Sequence, residues 1–456
     1  VDDGARSTTA LTGWGSTAPS VARLVEVARG ELVPAIAAAG PRGALVRGLG
    51  RSYGDAAQNA GGTVIRLREG ADPIRVDTEH GIATVDAATS FDELMRAIVP
   101  LGYFVPVTPG TRFVTVGGAI ASDIHGKNHH VEGSFGNHVT SLRLLTADGV
   151  VHDLSPHSSH ADAELYWATI GGMGLTGVIL DATFCLLPIE TSRCVVDTSR
   201  APDLDAVLAL MEEGDHRYRY SVAWVDLLAT GRHLGRSVLT RGDHARRDQL
   251  PARTADPLSF DPRPLVTVPP GIPNVLRHPS VAGFNELWYR RAPRHRTGEI
   301  QTIGRFFHPL DGVTRWNRLY GRRGFLQYQF VVPFGEELAL QRTVERLADS
   351  GGASFLVVLK RFGRSNPAPL SFPTEGWTIT FDIPATARGL AQLLHELDAL
   401  VLEAGGRHYL AKDSHTTPEA IRRGYPRLAE WQAVRRRVDP HGAWASDLAR
   451  RLELID

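Results

Sequence analysis

The stretch GLGRSYGD, Gly48 to Asp55, follows directly on the apolar run Ala44-Leu45-Val46. A second stretch, PGTRFVTVGGAIASDIHGKNHHVEGSFGNH from Pro109 to His138, is dense in glycine, small residues, histidine and asparagine. A third, GGMGLTGVI from Gly171 to Ile179, again sets glycines just before a strand-like run. Successive backbone N–H groups in such turns form anion-binding nests without needing a helix. Gly117, Gly118, Ala119 and Ala121 would let a large flat ligand lie against the backbone, because little side chain has to be displaced. Together the three loops suit a long ligand with a pyrophosphate in its middle. A Rossmann fingerprint does not fit, since Gly48 and Gly50 are followed by Gly54, and the next residues, DAAQNAGGTVIRL, read as a turn and a strand. His125, His129, His130 and His138 sit on no convincing helix and lack a supporting set of carboxylates, so no metal is expected. His125 differs in having small residues before it and Gly126 after, which would let its ring lie beside a bound ligand.

The elements that must hold these loops read as short strands broken by glycine turns up to about Pro188. ALVRGLG, GGTVIRL, GIATVDA, SLRLLTADGVV and TGVILDATFCLL carry the β-branched runs of strands. Residues 20–39 have apolar positions at roughly helical spacing, and SFDELMRAI, with Ser90 before Asp92 and Glu93, predicts a capped helix. Residues 241–283, rich in Arg, Asp and Pro without a period, predict a long irregular excursion of the kind that acts as a lid. Strands are expected over Gly298 to Phe307 and in GFLQYQFVVP. Then EELALQRTVERLADS, stopping at Gly351-Gly352, leads into SFLVVLKRF, and GLAQLLHELDALVLEA, stopping at Gly405-Gly406, leads into RHYLAKD. Two such helix–glycine–strand units predict helices covering one face of a mostly antiparallel sheet, hence an α+β fold.

Whole-chain numbers narrow the classes further. The 456 residues allow two or three domains at about 150 residues each. Hydrophobic residues make up 43% and charged residues 22%, ordinary for a globular protein. Lys plus Arg and Asp plus Glu both number 50, so no global field favours nucleic acid, and none is expected as a partner. Cys185 and Cys194 make neither a disulfide framework nor a structural zinc site, which suggests a reducing compartment. No apolar run approaches the ~20 residues that cross a bilayer, and VDDGARSTTALTGWG lacks the basic and apolar regions of a signal peptide.

RGLGRSYGDAAQN, PGTRFVTVGGAIASDIHGKNHH, GSFGNH, GGMGLTG and the closing RRVDPHGAWASDLARRLEL together resemble the flavoprotein oxidases of the vanillyl-alcohol-oxidase superfamily. Within it they are most similar to the actinobacterial branch that oxidises the 2-hydroxyl of a polyprenyl-phosphoryl ribose. The likeness runs from TALTGWG onward, and DIHGKNHH and AKDSHTT make it far more specific than a glycine loop. It implies an FAD-binding domain over residues 1–190, a substrate domain over 191–406, and a segment 407–456 that returns to the FAD-binding domain. By resemblance, GLGRSYGD and TVGGAIASD are the two loops that grip the FAD pyrophosphate. The matching cofactor contacts are Val46, Arg47, Gly48, Leu49, Gly50, Arg51, Ser52, Tyr53, Gly54, Asp55, Ala56, Gly110, Thr115, Val116, Gly117, Gly118, Ser122, Asp123, Ile124, His125, Ile179 and Tyr409. Many relatives have in the first loop a histidine bonded to the flavin ring; Arg51 stands there, which implies non-covalent FAD.

The substrate pocket implied by the resemblance holds Tyr53, Lys127, Trp224, Gln327, Gln329, Lys360, Thr380 and Lys412. Gln327 and Gln329, two apart in a strand-like run, face one side and suit sugar hydroxyls. Lys127 and Lys360 suit a phosphate as point charges, whereas Trp224 taken singly reads as core. Lys412 and His125 are the catalytic candidates. A lysine of pKa ~10.4 needs burial or a cationic neighbour to act as a base near neutrality, and His125 would need little tuning. The expectation is that Lys412 chiefly fixes substrate and charge at the flavin, with His125 or water sharing the proton work. Thr380 and Ser122 replace cysteines, and Thr378 an asparagine, of the mycobacterial members, so inhibitors that capture the thiol at 380 should fail here. The implied product is a 2-keto sugar that a separate NAD(P)H-dependent keto-reductase turns into the arabinose lipid used for cell-wall arabinan. A lipid substrate implies peripheral membrane contact, in the cytoplasm or at the cell envelope, although no amphipathic anchor is evident in the sequence. An oxidase of a soluble sugar, alditol, aldonolactone or nucleoside, and a flavin-binding protein without turnover, are the competing readings.

Overall fold

A computed structural model describes residues 8–252, 254–350 and 354–455. Two sheets come from the first half. One has four strands in the order Thr8–Leu11, Ser20–Val27, Thr63–Leu67, Ala44–Val46, the last three of them parallel. Residues 20–39 are therefore not one helix. Ser20–Val27 is a strand, Arg29–Glu31 a 3-10 turn, and Leu32–Ala37 alone a short helix. Three β-branched valines in SVARLVEV favour extended backbone, and neighbours on both sides supply its ladder hydrogen bonds. The second sheet has five antiparallel strands in the order Ile74–Asp77, Ile82–Asp86, Val178–Cys185, Val139–Leu145, Val151–Leu154. Against it lies the helix Phe91–Ile98, whose Ser90 hydroxyl accepts the Glu93 N–H while Glu93 accepts from Ser90, a reciprocal cap.

The second half is dominated by an eight-stranded antiparallel sheet. Its order is His295–Thr302, Arg193–Ala201, Ser237–His244, Tyr220–Val225, Val357–Phe362, Gly376–Pro384, Phe325–Val332, Arg407–His408. The helices Leu204–Gly214, Glu337–Asp349 and Leu390–Glu403 pack on one face. Alternation assigns the faces: Tyr328, Phe330, Val332, Val357, Leu359, Trp377, Ile379 and Phe381 enter the core beneath those helices. Gln327, Gln329, Val358, Lys360, Thr378 and Thr380 must then look the other way. Burying one large apolar side chain is worth about 1.5–3 kcal/mol, and a slip of one residue would exchange the faces, so the apolar back pins the polar front. The helix Leu390–Glu403 gives way at Gly405, whose φ of +69° suits a C-terminal cap, whereas Gly351 and Gly352 lie outside the described residues.

The excursion is shorter than residues 241–283. Arg241 to His244 complete the strand Ser237–His244, because Arg193–Ala201 and Tyr220–Val225 offer ladder partners on either side. At the other end His278 opens the helix His278–Arg291. The chain after Arg407 crosses back to the first half: Ala44 N–H donates to Ala443 O at 2.7 Å, and Ala445 N–H to Ala44 O at 3.0 Å.

Candidate active site

Between the loops of the first half and the polar front of the large sheet lies a cavity of about 910 Å³, at the upper end of the ~300–1,000 Å³ usual for ligand sites. Its floor begins with the first glycine loop. The N–H groups of Arg47 and Tyr53 are taken by Ile65 O and Ala411 O. Between them, the N–H groups of Gly48, Leu49, Gly50, Arg51 and Ser52 have no protein partner among the described residues, and all five residues line the cavity. Five successive donors at a cavity wall are what a diphosphate requires. Arg47 fastens the loop from beneath, giving Nη1 to Ala57 O and Nη2 to Thr12 O, each at 2.7 Å. Arg51 stacks its guanidinium 4.0 Å above the Trp14 ring.

The second loop works differently. It opens the helix Val116–Ala121, and its first N–H groups are already spent: Val116 on Thr89 O, Gly117 on Ala87 O, Gly118 on the Thr115 hydroxyl. It shapes the cavity with Thr115, Gly117, Gly118, Ala121 and Ser122 rather than offering free donors. A β-carbon on Gly48 would collide with the Thr115 side chain, so the two loops meet at close backbone range.

Of the expected cofactor residues, Val46 to Tyr53, Ala56, Gly110, Thr115, Gly117, Gly118, Ser122, Ile124, His125, Ile179 and Tyr409 line the cavity. Gly54, Asp55, Val116 and Asp123 stand behind it. Gly54 packs on the Asp413 carbonyl, leaving no room for a β-carbon. Asp55 holds Arg451 with two 2.8 Å bonds, and Arg451 also reaches Asp413 at 2.8 Å, tying the first loop to the turn that carries Lys412. Val116 is core. Asp123 accepts from Ser134, Ser371, Asn366 and the Gly136 N–H and so braces the second loop.

All eight expected substrate residues, Tyr53, Lys127, Trp224, Gln327, Gln329, Lys360, Thr380 and Lys412, line the same cavity. Strand register explains most of this: Gln329, Thr380, Val358, Trp224 and Val238 are successive cross-strand partners, so one row of the sheet forms one strip of wall. Trp224 also donates Nε1–H to Phe355 O at 2.9 Å. The chain contains three lysines, Lys127, Lys360 and Lys412, and every one of them is here. Burial pulls Lys127 down to about 8, and pulls Lys360 to about 7 with the help of Lys127. Lys412 is drawn to about 7 by burial, against the opposing pull of Asp382. Its Nζ lies 3.8 Å from the centre of the Tyr53 ring. Lys127 donates to the Phe306 carbonyl.

His125 is held differently from the expectation of a little-tuned base. Its ring sits among Phe362, Phe372 and Tyr409 at 4.8, 5.6 and 5.1 Å. Gln329 approaches Nε2 at 2.9 Å with its amide N–H, so Nε2 is the acceptor nitrogen and the ring is neutral. Burial, with Lys360 nearby, holds its pKa well below the usual histidine range. The neighbouring histidines have structural partners. His129 Nδ1 accepts from Gly363 N–H, His130 Nε2 bonds the Asp215 and Tyr218 carbonyls, and His138 Nε2 bonds Glu132 O.

Sequence reasoning missed Asp382. It follows Thr378 and Thr380 on the same face of Gly376–Pro384, opposite Gln327, and accepts from Gln327 Nε2 at 2.6 Å and the Tyr320 hydroxyl at 3.0 Å. Burial pushes it up to about 7, against those hydrogen bonds and Lys412. A carboxylate inside the otherwise uncharged strand GWTITFDIP was the available signal. Also missed were Phe284 and Trp288, which edge the cavity from the helix His278–Arg291.

Residues 24–155 match the family model for an FAD binding domain, and residues 383–452 match that for D-arabinono-1,4-lactone oxidase. The chain is 48% identical to the decaprenylphosphoryl-beta-D-ribose oxidase of Mycolicibacterium smegmatis, with 98% of each chain covered. It is 42% identical to an uncharacterized protein of Streptomyces coelicolor, over 79% of this chain and 99% of the relative, and 24% identical to a Streptomyces alditol oxidase over 97% and 99%. The five free donors of the first loop, the small residues of the second and the size of the cavity fit FAD, with Arg51 and Trp14 beside the first loop. By sequence, cofactor site and architecture, the chain belongs to the decaprenylphosphoryl-β-D-ribose oxidase family of FAD-linked oxidases.

Proposed function

We propose that the protein oxidises the 2-hydroxyl of a polyprenyl-phosphoryl-β-D-ribose to the 2-keto sugar, with FAD as the oxidant. The observation that carries the substrate is the confinement of the three lysines to one cavity that also presents Gln327, Gln329 and Thr380. Three buried amines near neutral pKa call for an anion, and a phosphodiester supplies one. Amides two residues apart on one strand suit the hydroxyls of a sugar.

Bound FAD would supply the hydride acceptor for oxidation of the carbinol carbon. The protein must accept the hydroxyl proton. Lys412 is the base in this reading: its lowered pKa leaves a large neutral fraction at neutrality, and Tyr53 faces its Nζ. Asp382, held by Gln327 and Tyr320, stabilises the ammonium that results. His125 orients Gln329 instead of taking the proton, because its acceptor nitrogen is already engaged. Lys127 and Lys360 meet the phosphate. A separate NAD(P)H-dependent reductase consumes the ketone, and FAD is bound without a covalent link at Arg51.

Anaerobic addition of a short-chain prenyl-phosphoryl ribose to the holoenzyme should bleach the flavin absorbance in one turnover, and FAD should stay in the supernatant after acid precipitation. Bleaching by alditols or aldonolactones but not by the phosphoryl sugar would overturn the substrate. No bleaching by any of them would overturn the reaction.

A further inference from the structure

Arg451 closes the short helix Asp447–Arg451 and lines no part of the cavity, yet its guanidinium joins the first glycine loop to the turn that carries Lys412. Nε and Nη2 form a fork on the two Asp55 oxygens, each at 2.8 Å. The same Nη2 reaches Asp413 Oδ2 at 2.8 Å, and Nη1 donates to Thr416 O at 2.9 Å. A planar guanidinium can hold this arrangement where a point charge cannot. The helix is itself seated on the chain just past the loop. Asp447 N–H donates to Gln58 O and Ala60 N–H to the Asp447 carboxylate, both at 2.8 Å. On the other side, the Asp413 side chain is buried, and its Oδ1 accepts the N–H groups of His415 at 3.2 Å and Thr416 at 3.0 Å. This carboxylate therefore shapes the turn. Burial would raise its pKa, but Arg451 and His415 keep it below the usual carboxylate range. Two backbone contacts complete the join: Tyr53 N–H donates to Ala411 O at 3.0 Å, and Gly54 packs on the Asp413 carbonyl. The free donors of Gly48 to Ser52 and the amine of Lys412 thus share one frame.

We infer that Arg451 is a positioning residue that couples the hold on the FAD diphosphate to the placement of Lys412, so that loosening either one loosens the other. Linkage makes the coupling reciprocal: what an occupied loop contributes to the order of the turn, an ordered turn returns to cofactor affinity. The role of Lys412 as base rests on the reaction proposed above; the coupling itself rests on the bonds that Arg451 makes. Lys412 faces Asp382, Lys360, Tyr53 and His125. Removing the guanidinium admits water to the turn, takes away a cation and leaves Asp413 unbalanced. Each of these moves the amine toward the ordinary, higher lysine range.

The test uses the full-length, FAD-loaded protein. On dilution R451Q should release FAD at least about tenfold faster than the native protein, read as the rise in flavin fluorescence, a factor in keeping with a lost charge-assisted fork. In stopped-flow reduction by a short-chain prenyl-phosphoryl ribose with FAD in excess, the Lys412 pH limb should move to higher pH in R451Q. R451K, which keeps the charge but not the fork, should fall between R451Q and the native protein in both readouts. D55N breaks only the arm to the loop. It should nevertheless make amide hydrogen exchange across residues 411–416 at least about fivefold faster, because the turn loses part of its frame. Native-like FAD release by R451Q, or faster release with the pH limb unmoved, would overturn the coupling. If R451Q does not fold, D55N decides, and native-like exchange at 411–416 sinks the idea. Should no prenyl-phosphoryl ribose reduce the flavin of the native protein, the reaction falls instead, and FAD release and exchange still judge Arg451.

Discussion

Lys412 and Asp382 are pulled toward each other in pKa, one down to about 7 and the other up to about 7, by the same burial. If Lys412 is the base, the rate of flavin reduction should rise with pH through the neutral range, as the amine loses its proton, and then level off. Lys412→Ala should abolish that limb and slow reduction by at least about a hundredfold, within the range for a lost general base. Asp382 raises the lysine's pKa, so Asp382→Asn should move the limb to lower pH while FAD stays bound. Stopped-flow reduction over a pH series decides both. Lys412 and the two glutamines, named from the resemblance, all line the cavity. Asp382 stood out only as a lone carboxylate in GWTITFDIP, and its meaning depends on lying across the ladder from Gln327, a pairing between residues 55 apart that the sequence alone does not reveal. The setting of His125 was hidden for a related reason: the partner of its Nε2 is 204 residues away.

The elements hold the site through a buried charged cluster that joins the helix Leu390–Glu403 to the turn after Arg407. Asp398 accepts from the Tyr328 hydroxyl at 2.8 Å and meets His408 and His415, each at 3.2 Å. Burial alone would raise Asp398, but the two histidines hold it well below the usual carboxylate range. His415, which burial alone would lower, is instead raised by Asp398 and Asp413. The signs follow from linkage. The Asp398 contribution is present above its unfolded pKa and lost as pH falls. The His415 contribution is present below its unfolded pKa and lost as pH rises through the folded value. Stability should therefore be greatest between those limits, and Asp398→Asn should cost about 3–5 kcal/mol there, with a smaller loss in acid; denaturant melts at several pH values measure it. Elements with local signals were legible: the Ser90 cap, the glycine at 405, the alternating strand GFLQYQFVVP. The helix expected over residues 20–39 was not one, because two flanking strands, invisible locally, offered a better set of hydrogen bonds.

At the scale of the molecule, two halves face each other across one cavity, the first supplying amide donors and the second a wall whose apolar back fixes its polar front. The change of texture near residue 189 falls just before Arg193–Ala201, the first strand of the large sheet in chain order. The helix His278–Arg291 was not legible, since HPSVAGFNELWYRR carries no clean apolar period and buries only Val281 and Asn285. The placement of the lysines has a further chemical meaning. Apart from the α-amino group, every primary amine in this polypeptide lies inside the cavity, and its basic exterior is built from guanidinium groups. Acylating reagents small enough to enter would therefore mark that chamber itself, and coupling the protein to a solid support through its lysines would consume the groups proposed above to meet the substrate and take its proton.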